Sequence, residues 1–330
     1  MPARPSILVT RPVPGDALDL LRADADVEVR PQRTAPPRHE LLRAVAGRAG
    51  LLVVGDRVDD ALLDAAGPGL VGVAQFGVGY DNVDVAACTR RGVAVGNTPG
   101  VLSGTTAEIA WALILATARR VTEAERLVRA DGWGAAGFGA LMGVDVGGAT
   151  LGIVGMGRIG QEVARRALGF RMEVLYTQRT RLDAALEREL NATYVPFAEL
   201  LARADFVSIH APATPETRHL MDAAAFARMR PGAILINTAR GTLVDQDALL
   251  AALDSGRLRA AGLDVTDPEP IPAGHPLVGR DDVTILPHIG SATHATRARM
   301  TEMCVKNLRA ALRGERMPWA VDPAVYDRTA

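Results

Sequence analysis

Three stretches in the second half of the chain each carry a polar side chain suited to chemistry. They are Asn237-Thr238-Ala239-Arg240-Gly241, Asp267-Pro268-Glu269-Pro270 and Leu286-Pro287-His288-Ile289-Gly290. The planar fork of Arg240 can hold a carboxylate or a carbonyl oxygen in fixed orientation, which a lysine cannot do. His288 follows an apolar run and a proline and precedes a glycine, a place where a general acid is displayed. Prolines on both sides of Glu269 hold its segment rigid, which is useful if its carboxylate must meet the imidazole. Singly, each residue also reads as a salt-bridge partner, a surface carboxylate or a structural histidine. Their order behind a nucleotide fingerprint favours the catalytic reading.

That fingerprint is Thr150 to Gly160, TLGIVGMGRIG, a strand pattern running straight into G-x-G-x-x-G and then into the helical pattern QEVARRALGF. Gly155 permits the tight turn, Gly157 lets backbone N–H groups close on a pyrophosphate at the helix N-terminus, and Gly160 lets helix and strand pack closely. Arg158 and Ile159 open that helix. An ordinary glycine-rich strand-helix turn is the plainer alternative.

The elements that must position these groups alternate along the whole chain. Apolar runs at 7–10, 27–30, 51–54, 70–77 and 93–98 are separated by helical patterns, and a second alternating set starts at Thr150. Its strands are expected at 150–155, 173–177, 193–196, 206–211, 233–239, 262–265 and 283–287, with helices at 158–170, 197–204, 222–229 and 245–255. Such alternation predicts parallel sheets with helices on their faces, and in open sheets of this kind ligands bind beyond the carboxyl ends of the strands. Ser103 to Arg129 reads as one long helix crossing between domains, and Ser291 to Arg313 as a second helix returning to the first domain. The expected division is therefore 1–100 with 291–330, and 101–290.

Composition narrows the partners. The 330 residues are 48% hydrophobic with a formal net charge of -1 and no long basic block, so nothing points to nucleic acid. Two cysteines, Cys88 and Cys304, cannot build a disulfide framework and fit a reducing cytoplasm. The most apolar stretch, Ile109 to Ala118, is too short for a membrane span, which needs roughly 20 apolar residues. It must be buried, between domains or between subunits, and a subunit interface of a homodimer is the expected cover. The histidines lack metal-ligand spacing and no serine-nucleophile motif occurs, so no metal is expected.

For the cofactor, the second strand of the nucleotide set ends in Tyr176-Thr177-Gln178-Arg179-Thr180-Arg181 without a carboxylate. An acidic residue there accepts the ribose hydroxyls of NAD and repels a 2′-phosphate. Arg179, with Arg181 nearby, can instead make charge-assisted bonds to that phosphate. NADP is expected, with NAD as the alternative.

The ordered motifs GVGYDNVD at 77–84, NTP at 97–99, TTAE at 105–108, the fingerprint, and the sequences around Arg240, Glu269 and His288 together resemble the D-2-hydroxyacid dehydrogenase family. Within it, ILPHIGSATHATR and AAGLDVTDPEP are most similar to the glyoxylate/hydroxypyruvate reductases. The resemblance implies an α/β protein: a Rossmann-type doubly wound nucleotide domain plus a flavodoxin-like substrate domain built from both chain ends. His288 would give a proton to a keto oxygen as a nicotinamide delivers hydride, and Glu269 would hydrogen-bond the imidazole. Arg240 would bind and polarise the substrate, helped by backbone N–H groups of Val78 and Gly79 and by Ser291. On the cofactor side the pattern carries over to Thr106, Arg158, Ile159, Arg179, Thr180, His210, Pro212, Thr217, Thr238, Asp264 and Gly290.

Three alternatives stay open at this level. Phosphoglycerate dehydrogenases usually carry the acidic NAD-selecting residue that is absent here, and phosphite dehydrogenases a lysine near position 76, where Phe76 stands. A nucleotide-sensing corepressor shares the fold and even the triad. The loop from Trp133 to Val146 is rich in glycine and alanine where members of the subfamily often carry a more aromatic stretch, which leaves substrate size selection open.

Overall fold

The computed structural model describes residues 4–135 and 137–327. The chain forms two compact units, one running to Leu102 and resuming at Ser291, the other spanning Ser103–Gly290.

In the first unit, β1 (Ser6–Val9), β2 (Asp26–Val29), β3 (Gly50–Val53), β4 (Gly72–Gln75) and β5 (Ala94–Gly96) form one all-parallel sheet in the order β2-β1-β3-β4-β5. That is the flavodoxin-like order, reached because every connection is a helical crossover. α1 (Leu18–Asp24), α2 (Arg38–Ala44), α3 (Asp60–Ala66) and α4 (Val85–Arg90) supply the crossovers. Asp59 and Asp84 cap α3 and α4 by accepting the N–H groups of Leu62 and Ala87. The long helix His294–Leu312 packs on β3, β4 and β5 of this sheet, burying Cys304, Val305 and Leu308. Ile7, Val9, Leu52 and Ala74 meet it from the sheet. Alternate residues Leu8, Leu51, Val53 and Val73 face α2 and α3, as the two-residue period of a strand requires.

The second unit holds β6 (Thr150–Val154), β7 (Glu173–Thr177), β8 (Ala192–Tyr194), β9 (Phe206–Ile209), β10 (Ala233–Asn237), β11 (Leu258–Leu263) and β12 (Val283–Ile285). They lie in the order β12-β11-β10-β9-β6-β7-β8, all parallel, the doubly wound arrangement with its switch point between β6 and β9. One face packs α5 (Ser103–Ala118) and α7 (Arg158–Ala167) against Leu151, Ile153, Ile234 and Ile236. The other packs α9 (Phe197–Arg203), α10 (Ala223–Arg228) and α11 (Gln246–Asp254) against Val154, Val207, Leu235 and Leu263. Strands buried on both faces read as near-continuous apolar runs, and the central strands β6, β9 and β10 do.

Two expectations need correction. The helix expected over 103–129 is broken: α5 stops at Ala118, and α6 (Val121–Arg129) starts after Arg120, whose φ is +54°. The carbonyl of Ala118 accepts the N–H of Val144, which satisfies one carbonyl at the end of α5, and the Arg120 side chain pairs with Glu123 in the first turn of α6. The apolar stretch of α5 is covered by its own unit instead of awaiting a subunit: Ala107, Ala110, Trp111, Leu113 and Ile114 are buried, and Trp111 stacks on Phe170 with ring centroids 4.5 Å apart. Only Ala112 and Leu115 of its central turns are exposed. A short helix not foreseen, α8 (Ala184–Glu189), joins β7 to β8, capped by Asp183. Among the described residues no helix is long and apolar enough to cross a membrane.

Candidate active site

The sequence-predicted residues of the second unit gather beyond the carboxyl ends of its strands, on the loops and, for Arg158 to Gly160, in the first turn of α7, apart from Thr106 on α5. Gly155 to Gly160 follow β6, Arg179 and Thr180 follow β7, and His210, Pro212 and Thr217 follow β9. Thr238 and Arg240 follow β10, Asp264 and Glu269 follow β11, and His288 and Gly290 follow β12. Val78, Gly79 and Ser291 belong to the first unit.

The fingerprint folds as its glycines require. Gly155 has φ +95°, and a Cβ there would lie 2.7 Å from the backbone nitrogen of Ala211, so the turn after β6 and the chain leaving β9 touch through bare backbone. A Cβ at Gly160 would lie 2.3 Å from the carbonyl oxygen of Gly155, whereas Gly157 faces open space. Gly157 caps α7 without any side-chain hydrogen bond, so the N–H groups of the first turn, at Arg158 and Ile159, remain available for an anion. This open cradle fits the pyrophosphate of a dinucleotide. Gln178 holds it in place by accepting the N–H of Met156 at 3.1 Å.

Beyond β7, Arg179 and Thr180 are exposed. Arg179 forms no ion pair within 4.0 Å among the described residues, although Glu216 feels its charge. Arg181 is not available alongside it, contrary to expectation. It forms a two-pronged pair with Glu187 at 2.8 Å on both oxygens, and Tyr176 donates its hydroxyl to the same carboxylate at 2.6 Å. Arg181, with Tyr176, holds the Glu187 carboxyl down to about 2, and burial followed by Glu187 pushes the Tyr176 phenol up to about 12. Pairing with Glu187 neutralises Arg181 and leaves Arg179 as the cation of this turn without an ion pair.

His210 is held by Ser208, whose hydroxyl lies 2.8 Å from Nε2, and burial of the ring pushes its pKa down to about 4. It is therefore neutral at neutral pH. Thr217 fixes the following loop by donating to the carbonyl of Pro212 at 2.7 Å.

The triad residues are set by backbone contacts that sequence reasoning did not anticipate. Asn237, fully buried, donates to the carbonyl of Arg240 at 2.8 Å and accepts the N–H of Ala239 at 3.0 Å, forming the turn that displays Arg240. An asparagine ending a strand three residues before the arginine is the signal that could have revealed this. Gly241 then lets Thr266 pass: a Cβ at Gly241 would fall 2.0 Å from the Thr266 carbonyl. Asp264 accepts the N–H groups of Ile289 and Gly290 at 2.8 Å, one on each oxygen, while its own carbonyl accepts the N–H of His288 at 2.9 Å. Burial raises the pKa of the Asp264 carboxyl, an effect the two N–H donors oppose. Asp264 thus braces the turn carrying His288, which sits at φ +53°, a conformation uncommon for a residue with a side chain. The brace aims the imidazole at Glu269: Nδ1 of His288 lies 2.6 Å from Oε1. Both side chains are part-exposed, as an acid that must reach substrate requires.

An imidazole hydrogen-bonded to a carboxylate, an arginine and a nucleotide cradle, all at the carboxyl ends of one parallel sheet, are the parts of a nucleotide-dependent enzyme. A separate cavity of about 390 Å³, lined by Thr117, Arg120, Arg259 and Arg280, shares no residue with this site. Among the described residues no group of histidine, cysteine and acidic side chains could hold a metal ion.

Comparison with known proteins specifies the class. Residues 111–290 match the NAD-binding domain of the D-isomer specific 2-hydroxyacid dehydrogenases. The chain is 45% identical over 324 residues to a glyoxylate reductase of Korarchaeum cryptofilum, covering 98% of this chain and 97% of the relative. A crystal structure of a Thermus thermophilus protein superposes with a TM-score of 0.89 at 48% identity, covering 96% of this chain and 100% of the other. An NADPH-dependent glyoxylate/hydroxypyruvate reductase from Sinorhizobium meliloti, solved with NADP and malonate, superposes with a TM-score of 0.86 at 33% identity, covering 99% and 100%. The chain belongs to the D-isomer specific 2-hydroxyacid dehydrogenase family and is an NAD(P)-dependent dehydrogenase.

Proposed function

We propose that this protein reduces a small 2-keto acid, glyoxylate or hydroxypyruvate, to the D-2-hydroxy acid with NADPH. The observation that carries this reading is the 2.6 Å contact between His288 Nδ1 and Glu269 Oε1. With Nδ1–H donated to the carboxylate, the opposite nitrogen, Nε2, can carry a second proton and give it to a keto oxygen. Glu269 stabilises the charged imidazolium before the proton leaves. Arg240 orients the keto acid and draws electron density toward its carbonyl oxygen. Val78, Gly79 and Ser291 take the substrate carboxylate.

When bound, a reduced nicotinamide supplies the hydride that the carbonyl carbon accepts. The residues assigned to hold it are Thr106, Gly155, Gly157, Arg158, Ile159, Gly160, Thr180, His210, Pro212, Thr217, Thr238, Asp264 and Gly290. Arg179 is assigned to the 2′-phosphate, and its lack of an ion-pair partner among the described residues supports the NADPH preference. The S. meliloti neighbour, which is described as NADPH-dependent, supports it further. A cytoplasmic homodimer is the form we assign. The exposed apolar side chains Val121, Val128, Trp133 and Met142 support a subunit contact there. A panel of 2-keto acids with NADPH and NADH, followed by chiral analysis of the product, tests the assignment. Fastest turnover of glyoxylate or hydroxypyruvate with NADPH is expected; a strong preference for another acid, or an L product, contradicts it.

A further inference from the structure

The first unit contains a second organised feature, the loop Gly77 to Asp81 after β4, in which successive carbonyls are tied off. The Gly77 carbonyl accepts the backbone N–H of Thr98 at 3.0 Å. The Val78 carbonyl accepts Nδ2 of Asn97 at 2.8 Å, and the Gly79 carbonyl accepts Nε2 of Gln75 at 3.2 Å. Gln75 is buried and is itself oriented by Asn82, whose Nδ2 donates to Oε1 of Gln75 at 3.1 Å and to the carbonyl of Asp56 at 2.8 Å.

A planar trans peptide carries its N–H opposite its C=O. The carbonyls of Gly77 and Val78 both point at the adjacent residues Asn97 and Thr98, so the N–H groups of Val78 and Gly79 both point away from that segment. Neighbouring peptides of an extended chain alternate, and two that share a direction have been held there. Neither N–H donates to any protein acceptor among the described residues. Paired backbone donors on one side of a loop form a seat for a carboxylate.

Asn97 is in turn held from the far end of the chain. Its N–H donates to the carbonyl of Trp319 at 3.2 Å, and its carbonyl accepts Nδ2 of Asn307 at 3.2 Å. Asn307 is fully buried in the helix His294–Leu312 and also accepts the N–H of Trp319 at 3.1 Å. The return of the chain to its first unit therefore has a local purpose, since it anchors the residue that aims the loop.

We propose that Asn97, anchored by Asn307 and aiming the Gly79 N–H through the Val78 carbonyl, and Gln75, oriented by Asn82 and fixing the next peptide of the loop through the Gly79 carbonyl, are positioning residues that preform the Val78–Gly79 pair of N–H groups as a seat for the substrate carboxylate. The inference rests on the 2-keto acid reading above. Its test uses two uncharged variants of the full chain, Asn97→Leu and Gln75→Met, each of which removes the donor while keeping most of the side-chain volume. For each, kcat and KM are measured for glyoxylate and for its amide, glyoxylamide, together with the Kd for NADPH. A lost hydrogen bond to a charged group corresponds to a change of about 10 to 100-fold.

The expected result is a KM for glyoxylate raised by about that factor. The preference for acid over amide should collapse to a similar extent, with the NADPH Kd unchanged within about twofold. An acid-to-amide preference unchanged in both folded variants overturns the proposal, as does a uniform loss of kcat, KM and cofactor affinity, which would mark general damage. If the unmodified protein reduces no 2-keto acid, the reduction reading fails, and the seat is tested by titrating oxamate into the NADPH-loaded proteins. Oxamate binding weakened about tenfold or more in both variants then supports the seat. Equal binding, or none to the unmodified protein, rejects it.

Discussion

Nδ1 of His288 and Oε1 of Glu269 lie 2.6 Å apart, although the two residues leave the ends of different strands, β12 and β11. The carboxylate fixes which imidazole nitrogen faces inward, and so which one remains for the substrate. Glu269→Gln keeps the shape but removes the charge that stabilises the imidazolium. Turnover is expected to fall by about 10 to 1,000-fold, with NADPH affinity unchanged. Steady-state kinetics with a fluorescence titration of NADPH checks this, and turnover within a factor of two of the parent removes Glu269 from the role.

Arg179 should decide the cofactor. Arg181 is neutralised by Glu187, so Arg179→Asp removes the one unpaired cation of the turn and supplies the carboxylate that ribose hydroxyls favour. The ratio of kcat/KM for NADPH over NADH is expected to fall by at least about tenfold, the equivalent of one charge-assisted bond. An unchanged ratio sinks the assignment.

His210 makes stability depend on pH. Its folded pKa of about 4 lies below the unfolded value of 6.5, so between the two the unfolded chain binds the extra proton. The contribution is complete above pH 6.5 and is lost as pH falls toward 4, with a slope of up to about 1.4 kcal/mol per pH unit. Urea melts across that window should show His210→Asn with a shallower decline than the parent; parallel declines contradict the buried neutral imidazole.

Gly241 allows the chains leaving β10 and β11 to cross. With a Cβ placed 2.0 Å from the Thr266 carbonyl, Gly241→Ala must push the two segments apart, and those segments carry Arg240 and Glu269. A loss of at least about 2 kcal/mol of stability is expected, together with loss of turnover. A thermal melt and an activity assay of the same preparation check it; full activity with an unchanged Tm would show that the crossing has room.

Much of this architecture was readable from residue order. Parallel strands buried on both faces leave continuous apolar runs such as FVSI and AILIN, and the fingerprint, Arg240, Glu269 and His288 all sit at their ends. The break at Arg120 was hidden because what ends α5 is the carbonyl of Ala118 meeting Val144, a contact across 26 residues with no local sign. Arg181 lies before α8 and Glu187 within it, six residues on, so the pair is not the i,i+3 or i,i+4 neighbour spacing that marks a helical ion pair. Asp264 entered only through the family resemblance, as a cofactor-side residue, and not as the brace of His288, since its partners are the backbone of Ile289 and Gly290, which any residue could supply. The tethers from Gln75 and Asn97 escape notice for the same reason: both end on carbonyl oxygens.

The most direct test of the central claim is NADPH consumption with glyoxylate by the parent protein and by His288→Ala, with cofactor binding measured in parallel. The account predicts that the variant binds NADPH as the parent does and loses about 100 to 10,000-fold in turnover, the range for a general acid. Turnover by the variant within a few-fold of the parent would contradict it.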